Sequence, residues 1–127
     1  MPNGFFGTQQ EWEKLEAPLR QLDDLLATFV KKHDLFMTKN ERHWPCRSIV
    51  WSDAIEKKIE IYASDKDSPL YSMWICAYQD RHGQRYWKKS VLKESVSFDE
   101  IYADISYSLD SAKKELDSWL EGDLEKI

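Results

Sequence analysis

Two cysteines and three histidines are the residues of this chain best suited to nucleophilic or metal chemistry. Nucleophilic catalysis needs a nucleophile, a base and an orienting group brought together. Cys46, beside Arg47 and close to His43, is the nearest approach to such a set. It immediately precedes the core of a strand, however, and Cys76 lies inside the most apolar strand of the chain. A thiol buried among apolar groups has a raised pKa and is inert. The histidines, His33, His43 and His82, lack the repeated ligand spacing of a helical or hairpin metal site, carboxylates such as Asp80 near His82 aside. Asp65 and Asp67 match only the start of a calcium loop and read as a polar turn. The last helix carries Asp99, Glu100, Asp104, Asp110, Glu115 and Asp117. Carboxylates on a solvent face solvate it, and act as an acid–base pair only where burial raises one pKa. The expectation is therefore no catalysis, no metal and no cofactor.

What remains is recognition chemistry. The chain has six Trp in 127 residues, and Trp favours cores and interfaces. Leu70 to Gln79 is apolar on both faces, as a central strand would be. If Ile59, Ile61, Met73, Ile75 and Ala77 face a core, then Tyr62, Trp74, Cys76 and Tyr78 face the other way. Trp87 lies near them, as do Trp51 and Tyr86, whose facing depends on the strand register. Arg47 and Arg85, with Lys58 and Lys89, are the flanking cations. Tyr62, Trp74, Tyr78, Trp87, Arg47 and Arg85 are accordingly the candidate binding residues, since Trp, Tyr and Arg are frequent interface anchors. Two alternatives compete for that face: an N-terminal segment (Phe5, Phe6, Trp12) folded across it, or a second copy of the chain in a homodimer. A base-stacking reading, with Arg81, Arg85, Lys88, Lys89 and Lys93 on phosphates, meets an acidic chain of net charge −5. Nucleic acid is thus disfavoured as a partner.

That charge is unevenly placed. Residues 80–93 hold five basic groups against one acidic, whereas residues 94–127 hold three against ten. Such bipolarity can steer a partner, and the acidic C-terminal helix is a second candidate interaction surface. The apolar and charged fractions, 42% and 32%, are those of an ordinary globular domain. No apolar run reaches the ~18 residues that cross a bilayer, and residues 1–7 lack the pattern of a secretion leader. Two separated thiols fit a reducing compartment, so the chain is expected in the cytoplasm.

The elements that would position these residues are readable from periodicity. Thr8-Gln9-Gln10-Glu11 is a capping box, followed by an apolar stripe at Trp12, Leu15, Leu19, Leu22, Leu26 and Phe29. Pro18 interrupts it, which predicts a kink or break near Glu16 and a stronger helix from Pro18 to about His33. Residues 34–43 read as turn-like apart from Leu35-Phe36-Met37. Strands follow at Arg47–Trp51, Ile55–Ala63, Leu70–Gln79 and Gln84 to about Lys89, with hairpin signals at Asp65–Pro69 and Asp80–Gly83. Ser97-Phe98-Asp99-Glu100 is a second capping box, opening an apolar stripe from Phe98 to Trp119 with Gly122 as a stop. The order α-β-β-β-β-α predicts a single α+β domain over residues 1–127, with residues 1–7 flexible. Its expected form is a four-stranded antiparallel meander with the N- and C-terminal helices packed on one face. The function read from this is a non-enzymatic acidic interaction protein of inhibitor, adaptor or immunity-like type. It would bind another protein or itself through the aromatic sheet face or the acidic helix. The alternative is a small-molecule binding domain with a Trp- and Tyr-lined pocket.

Overall fold

The computed structural model describes residues 4–127, so part of the expected flexible leader, residues 1–3, lies outside the described residues. Within the rest of that segment the Phe5 ring meets Trp12 edge-on at 5.1 Å, and Phe6 is 89% exposed. Helix α1 (Gln9–Arg20) starts where the sequence indicates, with both halves of the Thr8–Glu11 capping box formed. The break, however, falls later than Glu16. Pro18 sits inside the last turn of α1, where losing one amide bond costs least, and the helix ends two residues on. The Gln21 and Leu22 amides then close tight turns onto Pro18 and Leu19. Helix α2 (Asp23–His33) follows and stops at Asp34, which adopts the left-handed conformation at φ 56°.

The sheet is antiparallel and α+β in class, as expected, but it has six strands rather than four, in the order β1-β2-β3-β4-β5-β6. They are β1 (Phe36–Lys39), β2 (Cys46–Ser52), β3 (Glu56–Ala63), β4 (Leu70–Arg81), β5 (Gln84–Ser97) and β6 (Glu125–Lys126). The two unexpected strands are short edges. Strand β1 comes from the Leu35-Phe36-Met37 exception and β6 from the residues after Gly122, and both exist because a longer neighbour offers them a ladder. Strand β5 also runs eight residues past Lys89. Its alternation is broken there by Ser90, Lys93, Glu94 and Ser95, but β4 pairs with it as far as Leu70–Ser97. A bulge absorbs the irregularity: Ser95 takes φ 49° and its amide donates to Ser72 Oγ at 2.9 Å. The β4–β5 turn places His82 and Gly83 at φ 51° and 78°, the two-residue hairpin geometry that glycine eases.

The C-terminal stripe is two helices, α3 (Phe98–Ala103) and α4 (Ile105–Ser118), separated at Asp104, with Ser97 Oγ capping α3. All four helices cover one face of the sheet. Ile49, Ile59, Ile61, Met73, Ile75 and Ala77 from the strands meet Leu15, Leu19, Leu22, Leu26, Ile101, Leu109 and Leu116 from the helices in one core. The expected core face is therefore the observed one, and Trp51 and Tyr86 lie at its margin. No helix among the described residues is long and apolar enough to cross a membrane.

Candidate functional site

The face without helices carries the site. Cross-strand register aligns Thr38, Ser48, Glu60 and Trp74 in one transverse row over β1 to β4, with Val91 of β5 beyond. Alternation puts Tyr62, Cys76 and Tyr78 on the same face, and pairing with Tyr78 and Asp80 adds Trp87 and Arg85. The loop between β1 and β2, residues 40–45, folds over the end of this row. Its Asn40 amide donates to the Cys46 carbonyl, and the Cys46 amide donates to Asn40 Oδ1.

The rings run in series across the face. Trp44 lies 6.1 Å from Tyr62, and Tyr62 5.7 Å from Trp74, between centroids. Cations cover several ring faces. Lys89 Nζ stands 3.8 Å and the Arg42 guanidinium 5.5 Å from the Trp74 centroid, and Arg85 lies 4.6 Å from that of Tyr78. Asp80 holds Arg85 at 3.0 Å, and its own carboxyl is held below the usual range by that hydrogen bond.

Beneath them lies Glu60, only 1% exposed although no helix covers it. Its Oε2 accepts from Arg42 Nε at 3.2 Å and Ser48 Oγ at 3.3 Å, and lies 3.7 Å from Lys58 Nζ. Its Oε1 has no hydrogen-bond partner among the described residues, nor do the neighbouring Trp74 Nε1 and Thr38 Oγ1, and all three atoms are buried. An unpaired buried polar atom costs about 1–3 kcal/mol, so three of them on one row are a concentration of unmet hydrogen-bonding capacity.

Of the expected binding residues, Tyr62, Trp74, Tyr78, Trp87 and Arg85 share this face, and Arg47 does not. Register pairs Arg47 with Ile61, on the helix-covered side, and it is 1% exposed. There it ties the helices to the sheet. Nε donates to Asp23 Oδ1 at 2.6 Å, and Nη2 to Glu16 Oε1 at 2.7 Å. Nη1 donates to the Cys46 carbonyl at 3.0 Å and to Asn40 Oδ1 at 3.3 Å. The available sign was its parity with Ile49 two residues on, a core residue of the same strand. Conversely, Arg42 and Glu60 were not among the residues singled out. Glu60 had a signal, since a carboxylate between Ile59 and Ile61 in a central strand is expensive to bury unpaired. Arg42, inside a polar stretch, had none.

Nothing nucleophilic converges here. Burial pushes both the Cys46 and Cys76 thiols up, and both are free and buried. Asp65 Oδ1 accepts the Asp67 and Ser68 amides at 2.8 and 3.3 Å, the polar turn expected. Among the described residues no three His, Cys, Asp or Glu side chains are grouped as metal ligands. Several cavities border the face. One of about 330 Å³ is lined by Glu41, Arg42, His43, Trp44 and Lys58. Another of about 360 Å³, mostly apolar, lies at the end of the sheet among Phe5, Leu15, His43, Trp44, Ala63 and Lys66. No protein-family model matches the chain, and no curated protein and no solved structure is significantly similar to it.

Proposed function

We propose that this is a non-catalytic interaction module whose working surface is the helix-free face of the sheet, docking a partner protein over the Trp44–Tyr62–Trp74 series. The observation that carries the reading is Glu60: a buried carboxylate with one oxygen that has no hydrogen-bond partner among the described residues, beside an indole N–H in the same position, on the face the helices leave uncovered. A packing role alone gives no reason to keep such groups unpaired, whereas a surface that orients a partner needs polar anchors among aromatic ones. The Phe5 ring packs on Trp12 and borders the face at its Trp44 end. The expected experiment is capture from extract by the wild type and by a Trp44→Ser/Tyr62→Ser variant, with the acidic-helix variant Asp110→Lys/Asp117→Lys as control. The reading predicts loss of a stoichiometric partner only with the first variant. Equal capture by all three proteins would remove the sheet face from the account.

A second reading, a small-molecule binding domain, is favoured by the 360 Å³ cavity at the end of the sheet. Its size and apolar lining with a few polar groups are those of ligand sites. Trp44 lines it, so quenching of Trp fluorescence by members of a metabolite library, lost in Ala63→Trp, would move the weight there.

A further inference from the structure

Resting on the docking-surface reading above, the charge layout of the two layers names the partner. The helices with their flanking turns, residues 8–34 and 98–123, carry 14 acidic groups against 6 basic ones. The helix-free face is mixed, with its cations gathered in the middle. There Arg42, Lys58 and Lys89 stand against Glu60, which is 1% exposed, and Glu41 on the rim of the adjoining groove. Arg42 and Lys58 share a single oxygen of Glu60, at 3.2 and 3.7 Å. Lys89 has no carboxylate within ion-pair distance among the described residues and rests on the Trp74 ring. Three cations against the inward-turned Glu60 and the rim residue Glu41 leave this part of the face positive by one charge, and the 330 Å³ groove lined by Glu41, Arg42, Trp44 and Lys58 gives it a concave edge.

We propose that the face receives an acidic segment of a partner protein, its carboxylates held by Arg42, Lys58 and Lys89 and its apolar side chains on Trp44 and Tyr62. The acidic helix layer repels the same segment and so fixes which side it approaches. A polypeptide fits better than a nucleic acid strand for two reasons. The Trp74 ring is already covered by Lys89 and Arg42, which blocks the stacking that holds bases. Glu56 and Asp80 share the face, and a uniformly charged phosphate chain would pass over them, whereas a peptide can place neutral residues there.

The test is fluorescence anisotropy with a labelled Glu-rich peptide of about 12 residues bearing one Trp, long enough in extended form to cross the sheet. A single-stranded oligonucleotide of equal charge is the second probe. The wild type is expected to bind the peptide, with affinity falling as salt rises. Lys58→Glu/Lys89→Glu should weaken it about tenfold or more, and Lys114→Glu on the helix layer should not. If the double reversal fails to fold, Lys58→Gln/Lys89→Gln reads the same loss. Tighter binding of the oligonucleotide overturns the proposal in favour of nucleic acid. No peptide binding, while extract capture still requires Trp44 and Tyr62, overturns the acidic partner and leaves the docking surface standing. If capture does not require those rings either, both fall.

Discussion

The two faces of the sheet each bury one charged side chain to 1% exposure, and they treat it in opposite ways. On the covered face, Arg47 donates to Asp23, Glu16, Asn40 and the Cys46 carbonyl, so every charge there has a partner. On the open face, Glu60 uses one oxygen, and the other has no hydrogen-bond partner among the described residues. The Arg47 cluster locks α1 and α2 onto β2. A buried charge with all its partners is costly to break but adds little beyond what an apolar replacement would. The Glu60 row has capacity to spare. The difference separates a charge that holds the fold from one placed for contact with something else.

The largest expected effect breaks the covered side. Arg47→Met removes the buried cation that Glu16 and Asp23 share, leaving them only the half-exposed Arg20 and Lys39 at 2.8 and 3.1 Å, and should cost about 3 kcal/mol of unfolding free energy in urea. A pH signature accompanies it. Burial pushes the Asp23 carboxyl up, but hydrogen bonds from Arg47 and Lys39 more than reverse this and hold it below 3.8. A depressed folded pKa contributes stability that is present above the unfolded value and is lost as pH falls through the folded one. The wild type should therefore lose stability below about pH 4, and Arg47→Met should flatten that limb.

Next in size is Tyr71→Phe. The phenol donates to the Leu15 carbonyl at 2.8 Å, and removing it should cost about 1 kcal/mol. Burial, with the Glu16 charge adding to it, pushes the Tyr71 hydroxyl up to about 12. Its folded pKa is raised above 10.0, so the stability it contributes is full below that value and lost as pH rises toward 12. Absorbance titration should show a late tyrosine ionisation toward pH 12 that Tyr71→Phe removes, leaving that of Tyr78, which burial also pushes up. The smallest effect sharpens the comparison on the open side. Glu60→Gln keeps shape and hydrogen bonding to Ser48 and should change stability by less than about 1 kcal/mol. A loss as large as that of Arg47→Met would make Glu60 a second structural tie.

The face assignment was legible because Ile59, Ile61, Met73, Ile75 and Ala77 alternate strictly with Tyr62, Trp74, Cys76 and Tyr78 on adjacent strands. Arg47 has the parity of Ile49 in β2, and because Ile49 was not among the expected core residues its side was misread. Length was least legible where pairing decides it. Phe36–Lys39 and Glu125–Lys126 are too short to announce themselves, and Ser90–Ser97 carries polar residues that suggest a strand's end. Arg42 reaches Glu60 across 18 positions of sequence, a meeting set by how the 40–45 loop folds back rather than by any local pattern.

The central claim is best tested by hydroxyl-radical footprinting of the captured complex against the protein alone. Trp44 and Trp87 are 37% and 38% exposed on the open face, and Tyr102 and Tyr107 are 45% and 74% exposed on the helix layer, so all four report readily. The account predicts protection of Trp44 and Trp87 with Tyr102 and Tyr107 unchanged. Protection of Tyr102 and Tyr107 with the two tryptophans still reactive would contradict it and move the contact to the acidic helices.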